Sequence, residues 1–332
     1  MRHIITGGSG FTGTYMASAI ARRGGKVVVF DLDEPLANND SIDFIKGDVR
    51  QLRDLSKLHL QRNDVVYHLA ARQFHRGVPH RNRDEWFADV NVRGTRCLLE
   101  AISASSTQRL VFFSTDMTYG KPDHNPVNPT DMQHPIGPYG RSKVGAERLL
   151  TQACRELSLH ATIFRPRLIA GTGRLGILTK LFRLIRAGLP IPLIGAGKNR
   201  YQMIAVEDCV AAALAAVERN CPPGPFLLGS REPPTVKELL RELIRRTGSR
   251  SILLPMPAVI LKPTLSLLDR AALTLLYPEQ FAIADMDYVL NTEGTSERLG
   301  WTPSKSDMEI IFEAYTGFLD SSQAVPRQRS AT

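Results

Sequence analysis

Tyr139 and Lys143 stand four residues apart in the run Tyr139-Gly-Arg-Ser-Lys143. On a helix that spacing puts the phenol and the ammonium on one face. A tyrosine phenol has an ordinary pKa of about 10, and a nearby cation favours the phenolate and draws it toward working pH. Such a group could take the hydroxyl proton of an alcohol as hydride leaves the same carbon. Upstream, Phe112-Phe113-Ser114-Thr115 closes an apolar, β-rich run. Hydroxyls at the carboxyl ends of parallel strands lie where ligands of such folds bind, so Thr115 could hydrogen-bond the same substrate oxygen.

A hydride needs an acceptor, and the first residues offer a place for one. Thr6-Gly7-Gly8-Ser9-Gly10-Phe11-Thr12-Gly13 contains Gly8-x-Gly10-x-x-Gly13, directly after an apolar strand pattern and opening a helical one that runs to Arg23. Glycines there permit a tight turn and close backbone approach, so that a pyrophosphate can rest on the N–H groups of a helix start. Asp31, 18 residues beyond Gly13, ends the second strand pattern, where a carboxylate binds the adenosine ribose hydroxyls. Its charge argues for NAD over NADP, while Arg22 and Arg23 pull the other way. Asp48, in Gly47-Asp48-Val49, follows the third strand pattern, where it could meet an adenine amino group or serve a plain surface turn.

The elements that must position these groups are legible as a rhythm. Ile4-Ile5, Lys26 to Phe30, Val65 to Leu69 and Leu110 to Phe113 are short β-rich runs separated by amphipathic or polar segments. That alternation predicts βαβ units, and strands apolar on both faces predict a doubly wound α/β sheet covered on both sides. Five prolines between residues 121 and 138 forbid regular structure there and predict a functional loop, with a helix opening near Tyr139. After Arg165 the texture changes. Gly171, Gly173 and Gly176 punctuate a loop, an amphipathic helix runs from Leu178 to Ala187, and capping boxes at Thr235-Val-Lys-Glu238 and Ser306-Asp-Met-Glu309 start two later helices. At about 150 residues per domain, 332 residues predict a core with a second lobe. We expect a cofactor domain over 1–168 with 201–230 returning to it, a substrate lobe over 169–200 and 231–320, and a disordered polar tail over 321–332.

With 43% hydrophobic and 23% charged residues the chain is far from the disordered class and can bury a sizeable core. The net charge of +9 admits phosphorylated metabolites, nucleic acid or acidic membranes as partners. Arg72, Arg76, Arg81, Arg83, Arg93 and Arg96 form a basic stretch with little aromatic interleaving, so nucleic acid is not expected. Cys97, Cys154, Cys209 and Cys221 show no CxxC spacing, and His68, His75, His80, His124 and His134 show no common ligand spacing. We expect no metal, reduced thiols and a cytoplasmic protein without a signal peptide. The apolar stretch Ser251 to Leu268 is broken by Pro255, Pro257, Lys262 and Pro263 and cannot be a spanning helix. Trp301 is expected to pack the C-terminal lobe.

TGGSGFTG, Asp31, HLAA (68–71), NVRGT (91–95), STDMTYG (114–120), YGRSK (139–143) and LGWTP (299–303) together resemble an extended short-chain dehydrogenase/reductase of the NAD-dependent epimerase/dehydratase family, over about residues 1 to 318. The resemblance implies a Rossmann-type domain with a smaller C-terminal lobe, bound NAD, and a homodimer formed through two helices per subunit. It implies Thr115, Tyr139 and Lys143 as catalytic residues, with Asp116 beside them and Asn91 as the matching active-site asparagine. Cofactor contacts are expected from Gly7, Gly8, Gly10, Phe11, Thr12, Gly13, Asp31, Asp48, Val49, Leu69, Ala70, Ala71, Asn91, Ser114, Tyr139, Lys143 and Pro166. Substrate contacts are expected from Arg72, Asp116, Met117, Arg174 and Arg200.

Many family members act on nucleotide sugars through a transient 4-keto intermediate. STDMTYG is similar to the STDEVYG segment of the 4,6-dehydratases, but Met117 stands where those enzymes carry a glutamate. A thioether removes no proton, so that elimination is not expected, which leaves reversible oxidation at one carbon by an epimerase or a dehydrogenase/reductase. Arg200 matches an arginine that meets the nucleotide diphosphate, and its planar fork suits phosphate. Leu168, where sugar enzymes commonly carry an asparagine, and the apolar run Ser251 to Leu276 instead favour a steroid-like or other lipophilic alcohol. Substrate class stays open at this point.

Overall fold

The computed structural model describes residues 1–35, 41–74, 77–173, 176 and 178–323. The strands are β1 (Arg2–Thr6), β2 (Lys26–Asp31), β3 (Ile42–Lys46), β4 (Val65–His68), β5 (Arg109–Phe113), β6 (His160–Pro166), β7 (Leu168–Ala170), β8 (Ile191–Ile194), β9 (Met203–Ala205), β10 (Phe226–Leu228) and β11 (Leu253–Met256). The helices are α1 (Phe11–Arg22), α2 (Leu52–Leu55), α3 (Arg83–Asn91), α4 (Arg93–Ser103), α5 (Pro138–Leu157), α6 (Leu178–Ala187), α7 (Val206–Glu218), α8 (Val236–Thr247), α9 (Ala258–Arg270), α10 (Pro278–Phe281), α11 (Glu293–Leu299) and α12 (Asp307–Gln323).

Seven strands make one parallel sheet in the order β10-β6-β5-β4-β1-β2-β3. The order reverses at β1, which places β1 and β4 beside the crevice where doubly wound sheets bind ligands. Because side chains alternate along a strand, Ile4, Val28, Val66, Leu110 and Phe112 share one face and pack with Leu98, Leu99 and Ile102 of α4 and Ala146 and Leu150 of α5. Ile5, Val29, Tyr67 and Val111 are equally buried on the other face, the side of α1 and α7. The sheet is therefore the expected Rossmann-type α/β core.

The chain divides into two compact units: Met1–Arg167, Val206–Gly229 and Leu290–Thr302 form the first, and Leu168–Ala205, Ser230–Val289 and Pro303–Thr332 the second. Leu290–Thr302 groups with the first unit because the Thr295 hydroxyl donates to the Leu227 carbonyl and the Trp301 indole donates to the Asp208 carbonyl. Trp301 thus packs the sheet-bearing unit, a correction to its expected place in the C-terminal lobe.

The second unit holds two short parallel pairs, β7 with β9 and β8 with β11. Its core gathers Phe182 and Ile185 of α6, Leu239, Leu240 and Leu243 of α8, and Ile310, Ile311, Ala314 and Tyr315 of α12. At the start of α12 the Asp307 carboxylate accepts the Met203 N–H and the Ser230 hydroxyl. Both predicted capping boxes form, at Thr235 with Glu238 and at Ser306 with Glu309. Helix α12 reaches Gln323, three residues into the stretch expected as a tail, and 324–332 lie outside the described residues.

Candidate active site

The glycine loop joins β1 to α1 with almost no spare room. A Cβ on Gly7 would lie 2.5 Å from the Ala70 backbone nitrogen, and one on Gly13 would lie 2.5 Å from the Gly7 carbonyl oxygen. Gly7 also has φ +73°, where side chains are disfavoured. Leu69 and Ala70 are thereby held against the loop, and the Leu69 N–H donates to the Thr6 carbonyl. The N-cap of α1, Gly10, provides no side-chain cap, and the first turn carries no acid. Its N–H groups are left for an anion. Asp31 accepts the Ser9 N–H at 3.0 Å through one carboxylate oxygen and the Leu32 N–H at 2.7 Å through the other, so it also orders the loop it faces.

Ser114 stands at the carboxyl end of β5 with a buried Oγ that has no hydrogen-bond partner among the described residues. An orphaned hydroxyl at the carboxyl end of one strand, with an uncapped helix start and a glycine cradle at the carboxyl end of another, fits a bound dinucleotide whose polar groups would complete them. Pro166 ends β6 beside Leu228. Val49 is buried. Asp48 is gripped by Arg50, whose guanidinium meets both carboxylate oxygens at 2.6–3.0 Å and holds the acid below its usual range.

Helix α5 starts at Pro138, whose ring suits a first helical position, and presents Tyr139 and Lys143 from successive turns. Both are buried. The Tyr139 ring meets Phe74 edge-on at 5.3 Å and Phe87 at 5.6 Å, and its hydroxyl oxygen accepts the Gln73 side-chain N–H at 3.2 Å. The Lys143 ammonium donates to the Phe113 carbonyl at 2.8 Å and sits 5.0 Å from the centre of the Phe112 ring. Burial pushes its pKa down to about 8, while Glu147 pulls the other way. The phenol is thus tied to the segment after β4 and the ammonium to the end of β5.

Asn91 has a different task from a direct contact alone. Its Oδ1 accepts the Arg72 N–H at 2.8 Å, and its Nδ2 donates to the Arg72 carbonyl and, at 2.8 Å, to Ser142 Oγ. It therefore clamps the segment after β4 onto α5. Arg72 turns its guanidinium to the Trp86 carbonyl at 2.6 Å and Asp89 at 3.1 Å.

Thr115 caps a tight 3-10 turn over Asp116–Thr118, accepting the Met117 N–H at 3.2 Å. Its own proton goes to Asp116 Oδ1 at 3.1 Å, so in this state it presents no donor to a substrate oxygen. Asp116 in turn pairs with Arg167, and both side chains are buried. The Asp116 carboxylate thus spans Thr115 and Arg167 and fixes the Thr115 hydroxyl. The Met117 side chain is half-buried.

A second buried pair braces the same loop. Arg165 grips Glu147 of α5 at 2.6 and 3.1 Å and reaches the Tyr119 hydroxyl at 2.6 Å, while Gln133 donates to Glu147. Gln73, Glu147, Arg165 and Arg167 were not singled out as site residues from the sequence. The available signals were a carboxylate on the buried stripe of α5, one turn past Lys143, and two arginines at the end of an apolar strand.

Arg200 lies in the second unit, half-exposed, with its backbone N–H donating to Asp287 and its guanidinium 3.5 Å from the same carboxylate. Arg174, His75 and Arg76 lie outside the described residues. Among the described residues no cluster of His, Cys, Asp or Glu could hold a metal ion, and no helix is long and apolar enough to cross a membrane.

Comparison with known proteins bears on the fold and the family. An uncharacterized protein of Sinorhizobium fredii is 29% identical over 95% of this chain and 78% of its own length. The UDP-glucose 4-epimerase of Vibrio cholerae is 24% identical over 96% of this chain and 95% of its own. The solved structure of Thermus thermophilus UDP-glucose 4-epimerase complexed with NAD superimposes with a TM-score of 0.77 at 22% identity, covering 98% of this chain and 100% of that one. The model of the NAD dependent epimerase/dehydratase family matches residues 3–229, a span that holds the glycine loop, Asp31, Ser114, Thr115, Tyr139 and Lys143. With that match across the sheet and every element that positions the phenol, the chain belongs to the NAD dependent epimerase/dehydratase family.

Proposed function

We propose that the protein oxidises and re-reduces a secondary hydroxyl of a nucleotide sugar through a transient ketone, as an epimerase or a closely related dehydrogenase. The observation that carries this reading is the placement of the buried Tyr139 phenol and Lys143 ammonium on α5, tied to Gln73 after β4 and to Phe113 at the end of β5. NAD, when bound, supplies the hydride acceptor and donor. Gly7, Gly8, Gly10, Gly13 and the first turn of α1 would hold its pyrophosphate, Asp31 its adenosine ribose, and Ser114 a polar group nearby.

Tyr139 takes the substrate hydroxyl proton and later returns it. The Gln73 amide and the Lys143 charge both favour the phenolate over the phenol. Thr115 joins only after its hydroxyl rotates from Asp116 toward the substrate oxygen. Met117 contributes no base, so 4,6-elimination by the route of the dehydratases is not part of this reading. Arg200 is assigned to the nucleotide diphosphate in exchange for Asp287, and Arg72, Arg174 and Asp116 remain candidates around the sugar. A cytoplasmic homodimer completes the proposal.

The exposure of Val259, Ile260 and Leu267 in the 251–276 run weighs against their lining a pocket for a lipophilic alcohol. Mass spectrometry of small molecules released by denaturing freshly purified protein tests the proposal. Near-stoichiometric NAD with a nucleotide sugar is the expected result. An empty protein that makes NADH steadily from lipophilic alcohols, and binds no nucleotide sugar, overturns it.

A further inference from the structure

The second unit carries a surface that catalysis does not use. Helix α9 has only Leu265 and Asp269 buried, while Val259, Ile260 and Leu267 are 82%, 60% and 66% exposed. At 100° per residue these three, with Pro263, fall on one outward face. The chain leaving α9 adds Leu273 and Leu275, also exposed. Solitary apolar residues on a surface are ordinary, but a cluster of aliphatic side chains on one element marks an interaction site.

The neighbouring charges say what it meets. Segments 176–200 and 249–277 contain eight basic residues and one acid, Asp269, which is buried. Lys262 is matched by Asp285 and Arg200 by Asp287. That leaves Lys180, Arg183, Arg186, Lys198, Arg250 and Arg270. Lys180, Arg183 and Arg186 recur every third residue along the exposed side of α6. The Lys180 ammonium donates to the Leu275 carbonyl at 2.6 Å, which joins the basic stripe directly to the apolar turn. The scaffold beneath is continuous, since β8 pairs with β11 and the Ser249 and Ser251 hydroxyls donate to carbonyls of α6.

We infer that this face of the second unit, α9 and its following turn with the basic stripe of α6, adsorbs to an anionic lipid bilayer surface. Aliphatic side chains flanked by arginine and lysine match the interface, where the apolar groups enter the acyl boundary and the cations meet lipid headgroups. A second copy of the chain would bring like charges together. A nucleic acid would leave the aliphatic residues without stacking partners, for no aromatic side chain accompanies them on α9.

The test is co-sedimentation of the full chain with vesicles of phosphatidylcholine mixed with phosphatidylglycerol, against vesicles of phosphatidylcholine alone. Binding to the anionic vesicles is expected, weakened by added salt and reduced about tenfold or more by Lys180→Glu with Arg183→Glu, and likewise by Ile260→Glu with Leu267→Glu. All four positions are solvent-exposed or outward on their helices, and circular dichroism of each variant confirms the fold. Leu52→Glu, an exposed apolar site in the first unit, serves as the control and should bind as the parent does. No binding, equal binding to neutral vesicles, or binding that survives both double substitutions overturns the inference. So does a lipid-indifferent dimer that Ile260→Glu with Leu267→Glu dissociates.

Discussion

The Lys143 ammonium donates a 2.8 Å hydrogen bond to the carbonyl oxygen of Phe113, so a buried cation on α5 is fastened to the last residue of the strand that delivers Ser114 and Thr115. The charge has little else to offset its burial, and its pKa falls to about 8. Below that pH the folded protein carries an ammonium that would be better solvated in the unfolded chain. Stability is therefore lowered by a constant amount below pH 8 and recovers as pH rises toward the ordinary lysine value of about 10.4. Lys143→Met should raise the melting temperature at pH 7 while abolishing turnover, and its advantage should shrink above pH 9. Thermal melts across that range check both signs, and a variant less stable at pH 7 would contradict them.

Tyr139→Phe should lower turnover by roughly a hundred- to ten-thousand-fold, the usual contribution of a general acid–base. The buried ring keeps its contacts with Phe74 and Phe87, so the melting temperature should move little. Steady-state rates on whichever nucleotide sugar the protein releases, with melts alongside, separate loss of chemistry from loss of fold.

Gln73→Leu removes the amide that donates to the Tyr139 oxygen. Without that donor the phenolate is less favoured, and the acid limb of the kcat/KM profile should move up. A profile of unchanged midpoint would show that the amide acts elsewhere.

Breaking the Asp116–Arg167 pair from one side leaves a buried, uncompensated charge. Asp116→Asn or Arg167→Met alone should destabilise by about 3–5 kcal/mol, and the double substitution should cost less than either added to the other. Denaturant unfolding of the two single variants and the double variant measures that coupling.

Gly140 faces the Met117 carbonyl, which a Cβ would approach to 2.5 Å. Gly140→Ala should therefore push α5 off the 114–118 turn, lowering the midpoint of thermal unfolding and turnover together. Retention of both at parental levels would show that the turn yields without consequence.

His68 is buried between the Thr6 and Thr95 hydroxyls, and burial lowers its pKa to about 3. The folded state keeps it neutral, while the unfolded state takes up a proton below about pH 6.5. Its contribution is fully present above that pH and is lost as pH falls toward 3. His68→Gln should flatten the acid side of the stability curve by up to one proton, read as the slope of unfolding free energy between pH 6.5 and 4.

The sequence alone determined what depends on near neighbours. Apolar runs with strand length marked β1, β2, β4 and β5, helical periodicity and capping boxes marked α6, α8 and α12, and the glycine spacing marked the loop into α1, because each is a local pattern of hydrogen bonding and side-chain direction. Tyr139 and Lys143 were legible for the same reason: four residues on one helix fix their relation before any packing occurs. What the tertiary structure alone decided is which distant groups meet. Nothing beside Glu147 announces Arg165, 18 residues on, nor does the sequence around Asp116 announce Arg167, 51 residues away; a buried charge is tolerable only where the fold delivers its partner. Whether the apolar residues of α9 would be covered or exposed was likewise undetermined by their own pattern, since hydrophobicity states what a side chain prefers and only the surrounding elements decide what reaches it.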